Sequence, residues 1–148
     1  MSDIKPGQTQ AGFRLRQLDP GALAKAEAAL KSLAGNFAEW MANEIAKLDA
    51  SWATVRAQGV SVVTMDPLYL RVHDLKGLGG TYGFPIVTSI AAMLCRRIGD
   101  SETRLTASLE MIEAHIVAIR TAVRDGITSD EQPQGRALID GLTARVGA

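Results

Sequence analysis

From Leu23 to Val55 an apolar residue recurs at every third or fourth position: Leu23, Ala26, Leu30, Leu33, Phe37, Met41, Ile45, Leu48, Trp52 and Val55. A stripe of that period lies along one side of a helix, so the spacing predicts one long amphipathic helix whose apolar face is to be buried. Asp19-Pro20 supplies the start, a side-chain acceptor followed by a residue whose φ is preset for a first turn. Gly35 marks a place for a bend or break, and Gly59 an end.

The same grammar repeats downstream. Val60–Met65 has strand propensity, but a single strand has nothing to pair with, so it is expected to be a connector. Asp66-Pro67 then opens a second helix running to about Tyr82. Gly83 offers a left-handed residue, Phe84 can pack back, and Pro85 begins a third helix to Ile98 with Ile86, Ile90, Met93, Leu94 and Ile98 inward. Asp100 or Ser101 caps a fourth, in which Leu105, Leu109, Ile112, Ile116, Ile119 and Val123 form one unbroken stripe, with Arg124 at its C-terminal end. Polar residues 126–135 link it to a short amphipathic segment, Ala137–Val146, with Leu138, Ile139 and Leu142 to bury.

The expected fold is therefore all-α: an antiparallel four-helix bundle over 19–126, an N-terminal arm over 1–18, and a linker with a short extra helix over 127–148. In the arm, Phe13, Leu15 and Leu18 are the residues expected to dock. A chain of 148 residues that is 47% apolar can bury a real core, and only 5% aromatic content favours helices over sheets. Sixteen basic residues balance sixteen acidic ones with no basic stripe, which argues against a nucleic-acid partner. The single cysteine, Cys95, excludes an internal disulfide and a multi-cysteine metal site. With no long apolar run and no apolar signal core, the chain is expected to be cytoplasmic, with no membrane partner.

One segment carries chemistry: His73-Asp74-Leu75-Lys76-Gly77-Leu78-Gly79-Gly80-Thr81-Tyr82-Gly83. At about 100° per residue, Leu68, Leu75, Leu78, Gly79 and Tyr82 fall opposite His73, whereas Lys76, Gly77 and Gly80 fall on its side. A lone helix histidine is commonly a satisfied core residue, but this one points away from its helix's apolar stripe. Three glycines in a helix interior would forfeit roughly 3 kcal/mol of propensity. Gly79 points coreward and is explained by close packing, and Gly83 by helix capping. Gly77 and Gly80 bare the surface beside the imidazole, so that another protein's backbone can come close. A neutral imidazole is a nucleophile near pH 7, and a lysine one turn along can face phosphoryl oxygens. Taken alone, Lys76 could equally be an ordinary solvated lysine.

The segment resembles the histidine-containing phosphotransfer (HPt) family, whose motif runs His-x-hydrophobic-Lys-Gly, then small residues, with a glycine ten positions after the histidine. His73, Leu75, Lys76, Gly77, Gly79, Gly80 and Gly83 match it, and the likeness continues through Val87, Ile90, Leu94 and Ile98. The motif covers 66–98, and helix order extends the likeness to about 20–125. The resemblance implies a phosphorelay intermediate with no ATP site or kinase activity of its own. A phosphoryl group would pass from a receiver aspartate to Nε2 of His73 and on to another receiver. The partners it implies are receiver domains of hybrid histidine kinases and of response regulators, and these supply the Mg²⁺; the chain itself would hold no cofactor and no metal. By position, Lys76 steadies the phosphoryl group, and Gly77 and Gly80 form the docking surface. One departure stands on the neighbouring helix, where several members carry glutamine or another polar residue and this chain has Cys95. A thiol is a poor hydrogen-bonding substitute, which leaves Arg96 to help. Taken without the resemblance, Cys95 is a small buried hydrophobe. Two alternatives remain: an HPt-like adaptor that binds receivers without efficient transfer, and a plain helical interaction module. His115, beside the Ile112–Ile116 stripe, is expected to be structural.

Overall fold

The computed structural model describes residues 19–147, with side chains described through Arg145. The arm over 1–18 lies outside them. Among the described residues the protein is all-helical, with six helices and no strand: α1 Pro20–Gln58, α2 Val62–Leu78, α3 Pro85–Ile98, α4 Ser101–Thr106, α5 Leu109–Asp125 and α6 Pro133–Gly147. Packing separates two units, one ending at Asn36 and one beginning at Phe37.

α1 begins where Asp19-Pro20 places it, and the Asp19 carboxylate accepts the Ala22 amide at 2.6 Å. It continues through Gly35 as one helix and ends at Gly59, whose φ is +87°. Its apolar stripe is buried only in the second half, at Met41, Leu48, Trp52 and Val55. Leu23, Leu30 and Leu33, expected to face inward, are exposed.

α2 starts at Val62, four residues before the Asp66-Pro67 signal, and the expected connector over 60–65 is largely helix. The reason is a capping box. The Ser61 hydroxyl accepts the Thr64 amide at 3.3 Å, while Thr64 Oγ1 accepts the Ser61 amide at 3.0 Å and donates to the Gly59 carbonyl at 2.7 Å. That box satisfies the first turn and buries Thr64 and Met65, outweighing the strand propensity of the β-branched run. Pro67 therefore lies inside the helix. The carbonyl its ring leaves unbonded, four residues back, belongs to Val63, which is 77% exposed, so water can satisfy it.

The helix also ends sooner than expected, at Leu78 instead of Tyr82. Residues 79–83 form a turn, closed by the Phe84 amide donating to the Gly79 carbonyl at 2.8 Å and by Gly83 at φ +90°. Gly80 thus lies outside the helix interior, and the propensity cost assigned to three glycines falls mainly on Gly77. Pro85 begins α3, and Ile86, Ile90, Leu94 and Ile98 are buried as expected, with Met93 half-buried.

The stripe from Leu105 to Val123 is interrupted. Ala107 is extended (φ −66°, ψ 147°), and Ser108 starts α5 by accepting the Met111 amide at 3.2 Å. Leu105 and Leu109 are exposed, whereas Ile112, Ile116 and Ile119 are fully buried. Gly126 at φ +68° ends α5, and the buried Ile127 returns its amide to Ala122. The linker is tied down, because the Thr128 carbonyl accepts the Ile86 amide at 2.9 Å. α6 starts at Pro133, four residues before the expected segment, and packs on α5 through buried Leu142 and half-buried Leu138 and Ile139.

One core, from Met41 to Leu142, is shared by the second half of α1 and by α2, α3, α5 and α6. The closest helix partners within it are α2 with α3 and α3 with α5.

Candidate functional site

α2 buries Thr64, Met65, Leu68, Val72 and Leu75 and leaves His73 exposed on its other side. Lys76 and Gly77 are exposed next to it along the helix, and Gly80 follows in the turn. Among the described residues no carboxylate lies within ion-pair distance of Lys76. The nearby Asp74 is taken by Arg71, at 3.7 Å.

The glycines separate into two kinds. A Cβ on Gly79 would stand 2.6 Å from the Thr88 backbone nitrogen and 2.8 Å from its hydroxyl, so close packing of α2 on α3 requires glycine there. Gly83 requires glycine for its positive φ. Neither reason applies at Gly77, where a Cβ would meet nothing within 4 Å, or at Gly80, where it would make ordinary contact with Thr88 Oγ1 at 3.7 Å. The Gly80 amide donates to that hydroxyl at 2.9 Å, which fixes the turn under the exposed surface.

Cys95 on α3 is buried, at 7% exposure. Burial raises its thiol pKa, opposed by the positive charges of Lys76 and Arg96. The thiol therefore stays protonated near neutral pH and packs as a small hydrophobe. Arg96 is exposed on α3, and with Lys76 it is one of the two cations felt at Cys95. His115 is fully buried, and its Nδ1 lies 2.8 Å from the Met111 carbonyl, so Nδ1–H is the donor. Burial lowers its pKa and keeps the ring neutral. It packs as an interior side chain, whereas His73 is exposed.

The chain matches no family model, no curated protein and no solved structure. Among the described residues, no cluster of three or more His, Cys, Asp or Glu side chains could hold a metal ion, and no helix is long and apolar enough to cross a membrane.

Two residues beside the histidine were not singled out by motif. The Tyr69 ring, one turn before His73, has its centroid 6.0 Å from the imidazole at a 50° tilt. Over Tyr69 lies the Arg104 guanidinium, 4.1 Å from the ring centroid. The i, i+4 spacing of Tyr69 and His73 was visible in the sequence. The approach of Arg104 from another helix was not.

Proposed function

We propose that this protein is a histidine phosphotransfer intermediate, carrying a phosphoryl group on His73 between receiver-domain aspartates. The observation that supports this reading is the pair Gly77 and Gly80: bare positions beside an exposed imidazole that neither backbone conformation nor internal packing explains. Space kept free of side chains next to a nucleophile suits a partner whose own active site must close over it. The second half of α1 with α2, α3 and α5 would form the four-helix bundle that such a protein presents, α4 and α6 being additions to it.

In the proposed step the Nε2 lone pair attacks phosphorus of an aspartyl phosphate, an N–P bond forms, and the P–O bond to the aspartate breaks. The carboxylate leaves and Nδ1 keeps its proton. Transfer onward reverses this with a second receiver carboxylate. Lys76 supplies positive charge to the phosphoryl oxygens, while Mg²⁺ comes with the receiver. Catalysis of such a transfer consists mainly of positioning and charge stabilisation, so little else is required of this chain.

The buried, protonated Cys95 favours one second reading, an adaptor that docks receivers but transfers poorly. Incubation with a phosphorylated receiver separates the two. The expected result is an acid-labile, base-stable label that His73→Gln abolishes and His115→Gln retains. Binding without transfer would favour the adaptor, and neither would leave a plain helical interaction module. Full labelling of the His73 variant would overturn the assignment.

A further inference from the structure

Arg104 is 9% exposed, an unusual position for a guanidinium. Its Nε donates to the Ile98 carbonyl at 2.9 Å and Nη2 to the Gly99 carbonyl at 3.0 Å, at the C-terminal end of α3. Nη1 donates to Asp66 Oδ1 on α2 at 2.7 Å. The plane that these bonds fix lies over the Tyr69 ring at 4.1 Å. On α2, Asp66, Tyr69 and His73 follow at i, i+3 and i+7, which places them along one side of the helix. Arg104 grips the first two, and the second stands against the third at 6.0 Å.

We infer that Arg104 is a positioning residue for His73: anchored on α3 and Asp66, it holds the Tyr69 ring as a wall that limits the rotamers of the imidazole. This rests on His73 being the phosphoacceptor. An exposed histidine is ordinarily free to choose among staggered rotamers, and only some of them direct Nε2 outward along a line of attack. A ring fixed on the N-terminal side removes part of that freedom before the partner arrives. The break between α4 and α5 then acquires a purpose, since the short α4 delivers Arg104 to this side of α2.

The test uses Arg104→Gln, Tyr69→Leu and Tyr69→Phe in the full chain. In the unphosphorylated protein, the His73 ring protons should show ring-current shifts and cross-relaxation from Tyr69. Both should be lost in Arg104→Gln and Tyr69→Leu and kept in Tyr69→Phe, which retains the wall. Single-turnover transfer at saturating phosphorylated receiver should slow about tenfold in the first two variants. The half-saturating receiver concentration should change by less than about twofold. A wild-type transfer rate in Tyr69→Leu, or wild-type ring signals in a folded Arg104→Gln, would overturn the proposal. Tyr69→Leu leaves the Arg104 carbonyl bonds and the Asp66 pair intact, so its rate decides the matter even if Arg104→Gln fails to fold. If the wild-type chain accepts no phosphoryl group, the phosphotransfer reading fails. The ring signals would still report whether Arg104 and Tyr69 hold His73.

Discussion

Among the described residues no carboxylate pairs with Lys76, so in the resting protein its charge has no anionic partner to stabilise. Its side chain is exposed, and Lys76→Ala should change stability by no more than about 0.5 kcal/mol. Once negative oxygens come within reach, attraction exists that was absent before, and such an interaction lowers the barrier instead of merely strengthening binding. Transfer should slow by roughly 10–100-fold, about 1–3 kcal/mol, with receiver affinity little changed. Single-turnover transfer beside a binding titration measures both, and a normal rate would return Lys76 to an ordinary solvated lysine. His115 makes the opposite case, a residue whose titration concerns stability. Its folded pKa is lowered by burial, so below the unfolded value the unfolded chain binds the extra proton. This contribution to stability is fully present above about pH 6.5 and is lost as pH falls from there toward the folded pKa. His115→Gln should flatten that part of a stability–pH profile measured by denaturant titration. An unchanged slope would show that other groups set it.

Between helices, the sequence was legible wherever a boundary has a local cause. Asp19-Pro20 and Pro85 start helices where they stand, and Gly59, Gly83 and Gly126 supply the positive φ after α1, in the α2–α3 turn and after α5. It misled where two local signals compete. The Ser61–Thr64 box lies within a β-branched run and wins because it also buries Met65, whereas Asp66-Pro67 has the form of a start with nothing left to start. The α4–α5 break escaped notice because the apolar spacing runs straight across it. At the site, the exposure of His73 followed from angle alone, but Arg104 reaches Tyr69 only through tertiary packing, which no spacing encodes. The two kinds of glycine give a test at this scale. Gly77→Ala fills open space inside a helix and should stabilise by up to about 1 kcal/mol. Gly79→Ala must push against the Thr88 backbone and should destabilise by about 1–3 kcal/mol. Thermal melts of the two variants should therefore shift in opposite directions. A stabilised Gly79 variant would remove close packing as the reason for that glycine.

Across the whole chain, the apolar stripe of α1 is continuous in sequence but changes its energetic meaning along its length. Leu48 has no exposed surface and belongs to the core shared with α2, α3, α5 and α6. Truncating it to alanine removes buried methyl groups and leaves a cavity that close-packed neighbours fill only in part, a loss of about 2–5 kcal/mol. Leu30 lies on the same helix, in the unit that ends at Asn36, and is 68% exposed. Leu30→Lys exchanges one good helix former for another and removes little burial, so stability should move by less than about 0.5 kcal/mol. Because total stabilities of single domains are only about 5–15 kcal/mol, the two outcomes are far apart in any denaturant titration. Leu48→Ala should unfold at a markedly lower midpoint, and Leu30→Lys should overlay the parent curve. A loss at Leu30 comparable to that at Leu48 would mean that the first half of the stripe is covered in solution and carries burial of its own.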